Sequence, residues 1–214
     1  MESISDALCQ TETEESWDAI AAAILTLTSL CENGAFDFPA ELLTAVRSFA
    51  RPLNSAMNSE RTKLSGAAID LVGSLATGLE SAFDPLLHLF FPTLLTLCTR
   101  SNKVFITRAR TCIFTIIEIT QLPSVLTYFL PSLKDKSVTL RLAATEGVLA
   151  CMNCFNPPEL EKEARARDIE AVIRITARDA NADIRKTSRK VFEAYKILLP
   201  NRVERYVCPV ISSG

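Results

Sequence analysis

The chain has 214 residues, 48% hydrophobic and 22% charged, with a formal net charge of −2. That balance excludes an intrinsically disordered chain, and it lacks the basic excess of a typical nucleic-acid binder. With only 6 Gly, tight hairpins are scarce, a β-sandwich or barrel fits poorly, and an all-α protein with a sizeable core is expected.

Residues 1–13 are acidic, lack the basic-then-apolar layout of a signal peptide, and are expected to be poorly ordered. The first helix is predicted from SWDAIAAAILTLTSL, beginning near Trp17. A helix over 38–56 follows, then one over 62–79 in which Leu64, Ala67, Ala68, Leu71, Val72 and Leu75 form a stripe at helical spacing. Further helices are predicted over 84–100, 104–120, 123–133, 138–154, 158–178 and 183–199. Within them, Ile106, Ala109, Ile113, Ile116 and Ile117, then Leu142, Ala143, Val148, Leu149 and Met152, and finally Ile184, Val191, Phe192 and Tyr195 mark the apolar faces. Residues 14–210 read as one domain and 211–214 as a tail.

The prolines carry a repeat. Pro39, Pro85, Pro123 and Pro158 each follow a polar turn and open an apolar helical pattern, where proline's missing N–H does no harm. Their intervals are 46, 38 and 35 residues, and Pro92 recurs as Pro131 after 39. Helical repeats of about 40 residues define HEAT-type architecture. The expected fold is an α-solenoid of about five HEAT-like antiparallel helix pairs.

Alternate turns of such a solenoid fall on opposite edges. One edge collects turns 14–18, 58–63, 99–103, 134–137 and 178–186; after the first, it carries nine Lys or Arg against Glu60, Asp135, Asp179 and Asp183. The other edge carries Glu32, Asp37, Glu80, Asp84, Glu159 and Glu161, opposed by Arg202. A chain near neutrality is thus expected to be polarised, with a basic edge suited to an acidic partner.

From Trp17 to about Val210 the chain resembles a TOG domain, closest to those of the cytoplasmic linker-associated proteins (CLASP). The segments that carry the likeness are SWDAIAAAILTLTSL, AFDPLLHLFFPTLLTLCTRSNKVFITRA, LPSVLTYFLPSLKDKSVTLR and ARDANADIRKTSRKVFEAYKILLP. The resemblance implies a row of HEAT repeats whose edge of intra-repeat turns binds the curved αβ-tubulin dimer and regulates microtubule growth, without catalysis, in the cytoplasm on microtubules and the spindle. It assigns tubulin contacts to Trp17 in the first turn, Arg61 and Lys63 in the second, and Ser101, Asn102 and Lys103 in the third. Lys136, Ser137 and Arg141 follow in the fourth, and Arg185, Lys186 and Arg189 in the fifth. The chain departs from the pattern after the fourth turn, where Arg141 is followed by Leu142, Ala143 and Ala144 rather than further arginines. Since some TOG domains do not bind free tubulin, the alternative is a HEAT scaffold for other protein partners.

No P-loop, dinucleotide fingerprint or Ca²⁺ loop occurs, so no cofactor is expected. Cys151-x-x-Cys154 lies within a predicted helix without a second such pair, and the single histidine, His88, is expected to be a packed helix residue. The seven cysteines are odd in number and mostly inside apolar runs, which reads as reduced thiols of the cytosol or nucleus. No uninterrupted apolar run reaches the roughly 20 residues of a membrane span. Without base-stacking aromatics among the basic turns, apart from Phe105, nucleic acid is not an expected partner.

Overall fold

The computed structural model describes residues 2–203; the 211–214 tail and the end of the 14–210 span lie outside them. The chain divides into two compact units, Met1–Thr120 and Gln121–Gly214.

The first unit contains α1 (Glu2–Leu8), α2 (Trp17–Glu32), α3 (Pro39–Ser48), α4 (Ala50–Met57), α5 (Thr62–Leu79), α6 (Asp84–Leu97) and α7 (Lys103–Thr120). Helices α2, α5 and α7 pack side by side as one layer, and α3, α4 and α6 form the second. The stripe expected on 62–79 is buried in full, from Leu64 to Leu75. In α7 the inward residue at the start is Phe105 rather than Ile106, followed by Ala109, Ile113, Ile116 and Ile117. Because α2, α5 and α7 share a layer, the turns that lead into them lie at one end of the unit. Turns 33–38 and 79–84 lie at the other.

The second unit contains α8 (Leu126–Ser132), α9 (Val138–Cys154), α10 (Pro157–Glu161), α11 (Glu163–Thr176) and α12 (Ala182–Leu198). Helices α9 and α12 pack as one layer and α8 and α11 as the other, with α8 against α9 and α11 against α12 as the antiparallel pairs. Inward residues of α9 are Leu140, Ala143, Ala144, Val148, Cys151 and Met152, whereas Leu142 and Leu149 are half-buried.

Four expectations change. The helix expected over 38–56 breaks at Phe49 into α3 and α4. The break places Pro52 in the first turn of α4, where a helix leaves N–H groups without internal partners anyway. The helix expected over 158–178 breaks at Lys162, which adopts φ −52° and ψ 130°. An unbroken helix through buried Leu160 would turn Glu163 and Arg167 inward; the break shifts the register to Ala166, Ile169, Val172 and Ile173. Residues 2–13 carry α1, which packs on α2 and buries Leu8, instead of being poorly ordered. His88 is exposed on α6 rather than packed.

Candidate functional site

In the first unit, hydroxyls build the turn that opens α2. Ser16 Oγ donates to the Thr11 carbonyl at 2.7 Å, and Thr13 Oγ1 accepts the Ser16 N–H at 3.1 Å. That turn sets Trp17 at the first position of α2, half-buried. The indole is neither in the core nor bare: the Arg61 guanidinium lies 5.6 Å and the Lys63 ammonium 5.4 Å from its centroid. Such cation–π contacts contribute about 0.5–1 kcal/mol at exposed sites.

Those two cations are themselves held by carboxylates of the first turn. Arg61 pairs with Glu12 at 2.8 Å and Glu14 at 2.5 Å, and Lys63 with Asp18 at 2.5 Å. Ser59 adds a hydrogen bond from its hydroxyl to Glu12 at 2.7 Å. The hydrogen bonds that Arg61 donates to Glu14 and Glu12 hold its guanidinium above its ordinary pKa. The first two turns are therefore tied together and locally neutralised.

The third turn repeats the tie through a residue outside the expected set. Arg100 donates to Glu60 at 2.7 Å and to the Asn58 carbonyl at 2.5 Å, and lies over the Phe105 ring. Asn102 accepts the Val104 N–H at 2.9 Å and so starts α7. Ser101, Asn102 and Lys103 are exposed, and Lys103 makes no ion pair among the described residues.

The second unit uses one turn design twice. Asp135 Oδ1 accepts the Ser137 N–H at 2.7 Å, and Asp179 Oδ1 accepts the Asn181 N–H at 2.8 Å. Ser137 and Asn181 then cap α9 and α12 with their side chains. Six residues after each aspartate stands an arginine that returns to its own turn. Arg141 donates to the Asp135 and Lys136 carbonyls at 2.9 and 3.1 Å, and Arg185 to the Asp179 and Ala180 carbonyls, both at 2.7 Å. Arg141 also grips Asp179 in a two-point pair, Nε to Oδ2 at 2.7 Å and Nη2 to Oδ1 at 3.1 Å. The side chains of this pair are only 14% and 8% exposed. Hydrogen bonding from Arg141 pulls the Asp179 carboxyl below its ordinary pKa.

The expected contact residues thus fall into two groups. Arg61, Lys63, Arg141 and Arg185 are bound into the turns, and Asn102 and Ser137 cap helices. Lys103, Lys136, Lys186 and Arg189 are exposed and have no ion pair among the described residues. Exposed Arg178 and Lys190, outside the expected set, share that condition. Sequence reading assigned no turn-tying role to Glu12, Ser59, Arg100 or Asp179. The matched spacing of DKSVTLR and DANADIR (135–141 and 179–185) is the signal that finds the last of these.

No group of three or more His, Cys, Asp or Glu could hold a metal ion among the described residues. Cys151 is buried with its thiol pushed up by desolvation, and burial pushes the Cys98 thiol up to about 12. Such thiols are inert rather than nucleophilic. No helix of the described residues is long and apolar enough to cross a membrane.

Paired helical layers with built turns at one end are the architecture of TOG-type HEAT-repeat domains. The fold is similar to a solved TOG domain of C. elegans Zyg9, with a TM-score of 0.72 at 13% identity over 96% of this chain and 74% of that one. It is also similar to a structure solved in work on TOG–tubulin binding specificity, with a TM-score of 0.71 at 10% identity over 96% of this chain and 80% of that one. Within that class the chain belongs to the CLASP N-terminal family, whose family model matches residues 1–208. Among curated relatives, protein stu-1 of Neurospora crassa is 26% identical over 195 residues, covering 89% of this chain and 17% of that protein. The chain spans only 13–17% of the length of the first curated relatives it matches.

Proposed function

We propose that the chain is a non-catalytic module that binds αβ-tubulin and regulates microtubule dynamics in the cytoplasm, on microtubules and the spindle. Residues 14–210 act as that module. The observation that carries this reading is the family match over residues 1–208, joined to the position of Trp17 at the first turn and the cations at the later ones that make no ion pair among the described residues.

Each unit contributes its own contacts. In the first, Trp17 supplies an amphipathic anchor of the kind that dominates interfaces, and Ser101, Asn102 and Lys103 supply exposed polar groups. In the second, Lys136, Lys186 and Arg189 meet the acidic tubulin surface. Arg61, Lys63, Ser137, Arg141 and Arg185 act mainly by fixing the turns, since their polar groups are already engaged. Preformed turns lose little freedom on binding. A module that binds one tubulin curvature better than another shifts polymerisation by that difference in affinity alone, so no hydrolysis is needed.

The test is size-exclusion chromatography and microtubule co-sedimentation with purified tubulin. Wild type should co-elute or co-sediment with tubulin, and a Trp17→Ala, Lys103→Ala double variant that keeps its helical circular dichroism should lose most of that binding. Wild type that neither shifts tubulin nor pellets with microtubules would overturn the reading in favour of a scaffold for other proteins. Equal elution of wild type and variant would overturn the site.

A further inference from the structure

The opposite end of the first unit, away from the turn-borne cations, carries an apolar groove. The last turns of α2, the 3-10 turn Ala35–Asp37 and α3 enclose about 290 Å³. Leu27, Cys31 and Leu42 form a buried floor, and Leu30 and Phe38 form the lips. Phe38 is 63% exposed and Leu30 43%.

The turn itself is anchored without them. The Phe36 ring lies against Gly78 so closely that a Cβ there would overlap it. With Phe36 holding the turn, Phe38 is left open beside the groove. Open apolar side chains of that size gain from being covered, so the two lips mark a surface ready for a partner. The volume is at the bottom of the range of about 300–1,000 Å³ for small-molecule pockets, and the lining lacks convergent polar groups that would orient a cofactor. It suits one or two apolar side chains of a peptide.

Charge selects the peptide. Glu41 lines the groove, and Glu32 and Asp37 are exposed on the segments that build it. No Lys or Arg occurs in the chain before Arg47, so residues 27–45, which build the groove, carry these three carboxylates and no cation. An acidic partner is repelled here, so this surface is distinct from the one proposed for tubulin. We propose that the groove docks a basic amphipathic helix. Its large apolar side chains seat on Leu27, Leu30 and Phe38, and its flanking Lys or Arg pair with Glu32, Asp37 and Glu41. Recognition of an apolar helix face by a groove is a recurrent binding mode, and the charged rim sets specificity and encounter rate.

The experiment uses the full chain with methyl-labelled leucines and two synthetic amphipathic peptides. One has Leu and Phe at helical spacing with Lys on its flanks; in the other every Lys is Glu. The Lys peptide should shift the methyl signals of Leu27, Leu30 and Leu42, and its affinity should fall about tenfold with Phe38→Ser and again with Asp37→Lys, Glu41→Lys. The Glu peptide should leave those signals unmoved. Both variants change exposed side chains, so melting temperature and tubulin elution should match wild type. The proposal is overturned if the Lys peptide moves none of the three leucines, or if both peptides bind alike. Indifference of the affinity to rim reversal, or sedimentation showing the groove covered by a second copy, would overturn it too.

Discussion

At the scale of single residues, a basic side chain in a turn has two possible fates. Arg141 is spent inside the fold, gripping Asp179 and two carbonyls, whereas Lys136, five residues earlier, is open. Removing one member of a largely desolvated pair leaves the other uncompensated, at about 3 kcal/mol. Arg141→Ala should therefore lower stability by about 3 kcal/mol in urea unfolding, while Lys136→Ala and Lys186→Ala should stay within about 0.5 kcal/mol. A drop of similar size for the lysines would contradict the sorting. The pH dependence follows from the same pair. The Asp179 carboxyl is depressed in the folded state, so its stabilisation is present above the unfolded value of about 3.9 and is lost as pH falls through the lower folded value. Asp179→Asn should melt well below wild type at pH 6, and the gap should close as pH falls below about 4. Glu163, held at about 2 by hydrogen bonds from Arg202 and Arg167, is more than half exposed, so solvent screening leaves it a smaller loss in the same acidic window.

At the scale of elements, close approach between helices depends on residues without side chains. Gly147 of α9 faces Phe129 of α8, and a Cβ at Gly147 would sit inside contact distance of a ring that is fully buried. Alanine would gain about 1 kcal/mol of helix propensity, but overpacking costs about 1–3 kcal/mol when the neighbour cannot retreat. Gly147→Ala is expected to lower the melting temperature despite the better helix former. A rise would show that the ring has room to move. The end of α12 is fixed by the same economy of contacts: Tyr195 donates to Glu170 at 2.6 Å, and Arg202 reaches both Glu170 and Glu163. Sequence periodicity located α5 and α9 well because their inward faces are long and apolar. It missed the breaks at Phe49 and Lys162, because those depend on which register the neighbouring layer accepts.

At the scale of the whole molecule, a formal charge of −2 gives no overall attraction to an acidic partner. Any attraction must come from local groups such as Lys103, Lys136, Lys186 and Arg189, acting over a Debye length of about 10 Å at 0.1 M salt. Raising salt from about 0.05 to 0.3 M should therefore slow association with tubulin several-fold while changing dissociation less. Stopped-flow mixing checks this; a salt-independent association rate would mean that Trp17 and neutral contacts carry recognition.

The order of amino acids determined the helical class, the proline-marked repeat and the identity of the turns, because helix periodicity and proline geometry are local properties of the backbone. It also determined which residues are charged. Only the tertiary structure decided which charges are available. Whether Arg61 meets a partner or Glu12, forty-nine positions away, depends on turns brought together by packing of α1, α2 and α5. An ion pair is formed by distance in space, and distance along the chain does not report it.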